Sequence, residues 1–339
     1  MINVGVIGLG MMGLTHLDAY AKLADAKVVA ISDKMADRLS GKTKAAGNVE
    51  GQAKGTFDFA TVRKYTEGLD LINDREIEVV DICLPTPMHL EYALAALKAG
   101  KHVLIEKPLC RTSADAGKLV AAAKEAKGIS MVAMCMRFWP GWTWLKRAVA
   151  ERTYGKVLAA TFRRVCNHPG GAFYSNGELS GGAILDLHVH DTDFVQYLFG
   201  MPKAVQSFGY RKVTSEIDHV VTHYLYDDVP LVVAEGAWAM ADGFGFKMQY
   251  TVNFERATAA FDFPATNPLM LYEPGKAPQV VTLEPQMGYD YEIAYFLDCI
   301  QQNRRPEKVT LEDGWNCLKI VEAESQSAKT GKAVMLAKV

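Results

Sequence analysis

A strand-like run, Ile2 to Ile7, leads directly into Gly8-Leu9-Gly10-Met11-Met12-Gly13, and a helical pattern follows from about Met11 to Leu23. Strand, G-x-G-x-x-G turn and helix in that order leave few folds open. Glycines are needed there for a tight turn, for close approach of backbone to a pyrophosphate, and for packing of helix on strand. The helix N-terminus then offers unpaired N–H groups and the positive end of its dipole to an anion. A second strand candidate, Lys27 to Ser32, ends in Asp33, twenty residues after Gly13 (33 − 13). A carboxylate at that place accepts hydrogen bonds from the ribose hydroxyls of NAD and repels a 2′-phosphate. The expected cofactor is therefore NAD, with NADP disfavoured. Lys34 alongside softens that discrimination.

Further strand patterns at Val79 to Leu84, His102 to Ile105 and Ile129 to Met134 alternate with helical ones at Leu90 to Ala99 and Thr112 to Lys127. Gly100 is placed to cap the first of these helices and Thr112 or Ser113 to start the second. Strands alternating with helices mean βαβ units and a parallel sheet. Residues 47–61 interrupt the alternation and read as a loop.

The pattern changes after about residue 136. Strand-like runs dominate, at Val157 to Arg164, Ala204 to Tyr210, His219 to Tyr226, Leu231 to Ala239 and Met248 to Phe254. Few helices separate them, so a mostly antiparallel, open sheet is expected. Two helices, Tyr289 to Gln302 and Leu311 to Thr330, follow. The fold class is thus an α/β Rossmann domain over residues 1–128, then an α+β domain over 129–339. The last helices are able to pack back on the first domain.

Lysine and arginine number 37 against 39 acidic residues, a net charge of −2. That balance gives no electrostatic reason to expect nucleic acid or an anionic membrane as partner. No apolar run reaches the ~18 residues of a membrane span. The six cysteines form no C-x-x-C pair and read as buried thiols in a reducing compartment. With no basic leader pattern at the N-terminus, a cytoplasmic location is expected.

Pro85-Thr86-Pro87-Met88-His89 and Ala99-Gly100-Lys101-His102-Val103-Leu104-Ile105-Glu106-Lys107-Pro108, followed later by Gly181-Gly182-Ala183-Ile184-Leu185-Asp186-Leu187-His188-Val189-His190-Asp191, resemble the Gfo/Idh/MocA family. Its members carry a T-P-N-x-x-H-like segment, an A-G-K-H-V-x-x-E-K-P segment and a G-G-x-x-x-D-x-x-x-H-x-x-D segment. Met88 stands where asparagine is usual, and His188 where a small or aliphatic residue is common. The resemblance implies hydride exchange between a nicotinamide and a secondary alcohol of a sugar, polyol or glycoside. It implies Lys107, Asp186 and His190 as catalytic residues and a cis peptide between Lys107 and Pro108.

The residue types suit that chemistry. Oxidising an alcohol requires its proton to leave as hydride moves. His190 has the reference pKa of a general base. Asp186, four residues earlier, shares a helix face with it if the segment is one helix. Lys107 can hold the substrate hydroxyl or, if desolvated, act as the base itself. That choice stays open.

Expected cofactor contacts are Gly8, Gly10, Met11, Met12, Gly13, Asp33, Pro85, Thr86, Glu106 and Lys107, with His89 either touching the cofactor or bracing the following helix. Expected substrate contacts are Arg137, Asn167, His168 and His190. Arg137 has a structural ion pair as its alternative role. Trp139, Trp142 and Trp144 suit either a sugar face or the core.

Three rivals compete. His188 and His190, flanked by aspartates, would share one face of a strand and bind a metal, as in a metallohydrolase. The glycine lead-in and the Gly200-Met201-Pro202 stop argue for a helix, where residues two apart diverge, so no metal is expected. A non-catalytic NAD sensor is the second rival. The third is NAD-using glycoside cleavage, which some relatives perform. A homodimer or homotetramer through the C-terminal sheet is expected, because a sheet covered on one face leaves an apolar face in water.

Overall fold

The computed structural model describes residues 1–42, 55 and 57–336. Of the expected loop at 47–61, residues 47–54 and 56 lie outside the described residues. The chain divides into two compact units. One comprises Met1–Cys135 with Met287–Trp315, the other Met136–Gln286 with Asn316–Val339.

The first unit begins β1 (Ile2–Ile7), α1 (Met11–Tyr20), β2 (Ala26–Ser32), α2 (Ala36–Leu39), β3 (Arg63–Tyr65) and α3 (Gly68–Asn73). It continues β4 (Val79–Ile82), α4 (His89–Lys98), β5 (His102–Glu106), α5 (Ser113–Glu125) and β6 (Ser130–Ala133). Thr112 starts α5 by accepting the Asp115 N–H on its hydroxyl, as its residue type predicts. The six strands form a parallel sheet in the order β3-β2-β1-β4-β5-β6. Strand order reverses between β1 and β4, and ligands of such sheets bind beyond the strand ends at that point. Because β6 pairs with β5 through Val103 opposite Ser130, the sheet extends to Ala133, and the first unit reaches Cys135 rather than residue 128.

The second unit holds α6 (Pro140–Ala150), β7 (Val157–Asn167), α7 (Ala172–Ser175), α8 (Gly177–Ser180), α9 (Gly182–Asp186) and α10 (Val189–Phe199). Then come β8 (Ala204–Tyr210), β9 (His219–Leu225), β10 (Leu231–Met240), β11 (Phe246–Phe254), β12 (Thr258–Phe263), β13 (Leu269–Tyr272) and β14 (Gln279–Val280). The helix α11 (Gly288–Gln301) belongs to the first unit and packs on α1. The division between units runs through α12 (Leu311–Thr330), and β15 (Val334–Met335) closes the described chain.

The nine-stranded sheet runs β14-β13-β12-β11-β7-β10-β9-β8-β15. It is antiparallel except where β7 and β10 lie parallel at its centre. α6 and α10 cover one face. There Trp142, fully buried, meets the rings of Phe162, Phe194, Tyr250 and Phe261. The other face exposes Phe208, opposite Val221, and Leu231. Among the described residues, no helix is long and apolar enough to cross a membrane. All six cysteines are free thiols, five of them buried.

Candidate active site

In the first unit the site is set by backbone that only glycine permits. Gly8 has φ +91°, and a Cβ there would lie 2.5 Å from the Cys83 carbonyl oxygen, so the turn after β1 sits directly against the turn after β4. A Cβ on Gly13 would strike the Gly8 carbonyl oxygen at 1.9 Å. Gly10 differs: a Cβ there meets nothing within 4 Å. This open space at the start of α1 is what a pyrophosphate needs, and the donors suit it, being the first N–H groups of a helix. Met11 and Met12 begin that helix half-buried.

Asp33 braces the same turn. Its Oδ2 accepts the Leu9 N–H at 2.8 Å and an N–H of the Arg38 guanidinium at 3.3 Å, and its Oδ1 accepts the Met35 N–H at 2.9 Å. Sequence reasoning named Lys34 as the neighbouring cation. Lys34 is exposed, and Arg38 on α2 is the one that reaches the carboxylate. Wild-type protein is expected to bind NAD more tightly than NADP. Asp33→Ala should weaken both, by about tenfold or more, because the Leu9 N–H loses its acceptor. It should also narrow their ratio, because Arg38 is freed toward a 2′-phosphate. Fluorescence titration with NADH and NADPH checks this; equal or tighter NADPH binding by the wild type would reverse the assignment.

Thr86 is buried and Pro85 exposed at the turn after β4. His89 is engaged by backbone on both sides. Its Nδ1 is 2.9 Å from the Pro108 carbonyl oxygen and its Nε2 is 2.8 Å from that of Leu84, and the ring is buried. Burial pushes its pKa down against the pull of those two carbonyls. Of its two expected roles, the structure gives His89 the brace. It ties the turn after β4 to the one after β5. In the second of these turns the Lys107-Pro108 peptide is cis, as the resemblance implied. Lys107 is half-buried, and its N–H donates to Glu106 Oε2 at 2.9 Å. Glu106 is itself buried and engaged by protein groups.

In the second unit, Gly181 and Gly182 have φ of +81° and +75°, and a Cβ on Gly182 would lie 2.7 Å from the Ile217 carbonyl oxygen. Asp186 is the last residue of α9, and His190 lies in the first turn of α10. Between them the helix widens: the His188 N–H reaches back five residues to the Ala183 carbonyl at 2.8 Å. The four-residue spacing therefore does not put Asp186 and His190 on one face of a single regular helix, which corrects the expectation of a shared face. Both side chains are half-buried.

His188 packs. It is fully buried, with Nε2 3.2 Å from the Tyr224 hydroxyl and 3.6 Å from Glu324. Among the described residues, neither His188 nor His190 belongs to a cluster able to hold a metal ion.

α10 is anchored by two buried ion pairs, one at Arg137, the alternative role expected for it, and one at Arg164 that sequence reasoning missed. Arg164 Nε donates to Asp191 at 2.8 Å. Arg137 forms a two-pronged pair with Asp193, at 2.9 and 2.7 Å, and its guanidinium lies 4.5 Å from the centre of the Tyr197 ring. Arg137 is only 2% exposed. The expectation of a substrate contact is corrected accordingly: the interior takes Arg137, because a buried aspartate on α10 demands a cation. The signal was present, since Asp191 and Asp193 lie on the helix that also buries Val189, Phe194, Val195 and Leu198, where carboxylates require buried partners.

Asn167 and His168 lie half-buried at the end of β7. His168 Nδ1 accepts the Gly170 N–H at 3.1 Å, and its ring meets Trp238 edge-on. Cys166, Ala183 and Trp238 form a buried cluster against which Leu187 packs, so the end of β7 adjoins the α9–α10 junction. The tryptophans supply no exposed sugar platform. Trp142 is core and Trp139 is buried against Phe263, while Trp144 packs on Tyr154.

Residues 2–134 match the model of an oxidoreductase family with an NAD-binding Rossmann fold, and residues 142–260 match the GFO/IDH/MocA C-terminal domain. Myo-inositol 2-dehydrogenase from Thermotoga maritima is 34% identical over 201 residues, 59% of this chain and 55% of the relative. Levoglucosan dehydrogenase from Pseudarthrobacter phenanthrenivorans is 31% identical over 218 residues, 61% of this chain and 53% of the relative. The chain thus spans about half the length of these curated relatives. A solved structure of levoglucosan dehydrogenase with NADH and levoglucosan superposes with a TM-score of 0.86 at 21% identity, covering 99% of this chain and all of that one.

Proposed function

Because the chain belongs to the Gfo/Idh/MocA family, we propose that it is an NAD-dependent dehydrogenase oxidising a secondary alcohol of a sugar, polyol or glycoside. The observation that carries this reading is a glycine turn held open at Gly10, in a chain that also keeps Lys107, Asp186 and His190 in the family's motifs. NAD, when bound, supplies the two-electron acceptor for the hydride. Gly8, Gly10, Met11, Met12 and Gly13 bind its pyrophosphate; Asp33, Pro85 and Thr86 flank the rest. Lys107 holds the reacting hydroxyl and stabilises developing alkoxide charge. The hydroxyl proton passes to His190 or to Lys107, with Asp186 as the third member of the motif set. Asn167 and His168 donate to and accept from further hydroxyls.

The relatives named as inositol, glucoside and levoglucosan dehydrogenases support a cyclic polyhydroxylated substrate. The test is a panel of cyclic sugars and inositols with NAD, read as NADH absorbance, against lactate and malate. Faster NADH production from either acid than from every ring compound would end the proposal. Glycoside cleavage without net NADH would replace it with the lytic reaction.

The exposed sheet face supports self-association. Phe208 is 60% exposed, Leu231 42% and Val221 39%, and beside them lies a polar group in which Glu235 joins Arg163 to His219. Exposed apolar residues gathered on one sheet face mark interfaces. Light scattering is expected to show a dimer or tetramer, shifted toward monomer by Phe208→Asp. A monomer at micromolar wild-type concentration would contradict it.

A further inference from the structure

His16 lies on α1, three residues past Gly13 (16 − 13), and is fully buried. Both ring nitrogens meet carboxylates. Nδ1 is 2.8 Å from Asp81 Oδ2 on β4, and Nε2 is 3.1 Å from Glu106 Oε1 at the end of β5. The second contact is an ion pair whose angle falls short of a directed hydrogen bond. Asp81 and Glu106 are both buried. A neutral imidazole carries one N–H and one lone pair, so in either tautomer a lone pair would face a carboxylate oxygen. Two buried carboxylates with no cation between them are also costly. With both carboxylates ionised, this geometry calls for an imidazolium between them.

The surrounding groups agree. Burial alone would push the His16 pKa down, but Asp81 and then Cys83 reverse that and lift it well above the histidine range. Cys83 Sγ is 3.5 Å from His16 Nδ1, and burial, with Asp81, keeps the thiol protonated. Tyr20, on the same helix, is likewise raised by burial and Asp81, with Glu292 of α11 contributing.

Glu106 has a second engagement, since its Oε2 accepts the backbone N–H of Lys107. Contacts thus run from the helix that opens at the glycine turn, through an imidazole and a carboxylate, to the residue assigned to the substrate hydroxyl. We propose that His16 is a positioning residue: a fixed cation between Asp81 and Glu106 that pins the Glu106 carboxylate and, through it, the backbone of Lys107. The inference rests on the reading of Lys107 as catalytic. His16, Asp81 and Cys83 are also close enough to suggest a metal site, but the Nδ1–Asp81 hydrogen bond and the burial that pushes the thiol pKa up oppose that alternative.

The experiment uses the full chain and has two arms. In isotope-labelled wild type, both His16 ring nitrogens are expected to be protonated at about pH 8, where an ordinary histidine is neutral. The Lys107 amide resonance is expected to shift in His16→Gln and in Glu106→Gln. A neutral tautomer, stoichiometric zinc in purified protein, or an unmoved Lys107 amide would overturn the proposal. In the second arm, His16→Gln should lower kcat by about 10²-fold, the cost of an ångström-scale misplacement. NADH affinity, read by fluorescence, should change less than about threefold, below 1 kcal/mol. Parallel loss of NADH binding and turnover, or an unchanged kcat, would also overturn it. If His16→Gln fails to fold, the wild-type resonances and Glu106→Gln decide. Wild type that binds NADH but oxidises no alcohol defeats the dehydrogenase reading instead, and the resonance arm still judges His16.

Discussion

Lys107→Ala and His190→Ala are each expected to cut turnover by ~10²–10⁴-fold, the usual weight of an acid–base or electrostatic group at a reacting hydroxyl. Folding should stay close to wild type in both, and NADH affinity in His190→Ala. Lys107 is half-buried at a strand end, where its neighbours Glu106 and Pro108 are held by His16 and His89. His190 is half-buried on a helix whose next residue is fixed by Arg164. Removing either side chain opens no core cavity, so a stability change of about 1 kcal/mol is the most to expect. The two variants also separate the roles left open. The group that takes the proton gives kcat/KM its acidic limb, so the variant that flattens that limb identifies the base. If both variants keep near-normal rates on a true substrate, neither motif marks the site.

How much of this was legible in the sequence depends on how local the cause was. The turn at Gly8, Gly10 and Gly13 is dictated within six residues, and it stands as read. The strands Ala204–Tyr210 and His219–Leu225 agree with the strand-like runs to within a residue. By contrast, β3 is only Arg63-Lys64-Tyr65, three polar or amphipathic residues with no period to detect, and it is a strand because β2 offers it an edge. β12 and β13 are short and separated by Pro264 and Pro268, which read as a break. β6 was read as a strand, but which sheet it joins is settled by pairing with Val103, a non-local fact.

The site followed the same rule. Lys107, Asp186 and His190 came from motifs. For Arg137 the sequence left a substrate contact and an ion pair both open, because its partner, Asp193, lies 56 residues away. A lone arginine beside tryptophans looks alike at a sugar pocket and inside a core. His188 and His89 show the same ambiguity, resolved here by Tyr224 and by two carbonyls.

The Arg137 correction makes the second large prediction. Arg137→Ala should destabilise the protein by about 3–5 kcal/mol, because it leaves Asp193 buried without its cation and empties the space beside Tyr197. Substrate KM, measured at a temperature where the variant is folded, should move little. A substrate-contacting arginine would give the opposite pattern, a KM raised by an order of magnitude or more with stability nearly unchanged. The double change Arg137→Met with Asp193→Leu separates the causes further. Buried ion pairs replaced on both sides by apolar residues of similar size are often neutral in stability, so the double variant should recover most of what the single one loses. Denaturant unfolding of the two variants beside wild type makes the comparison. A double variant no more stable than Arg137→Ala would mean that the guanidinium's contact with Tyr197, and not the ion pair, holds α10 against the sheet.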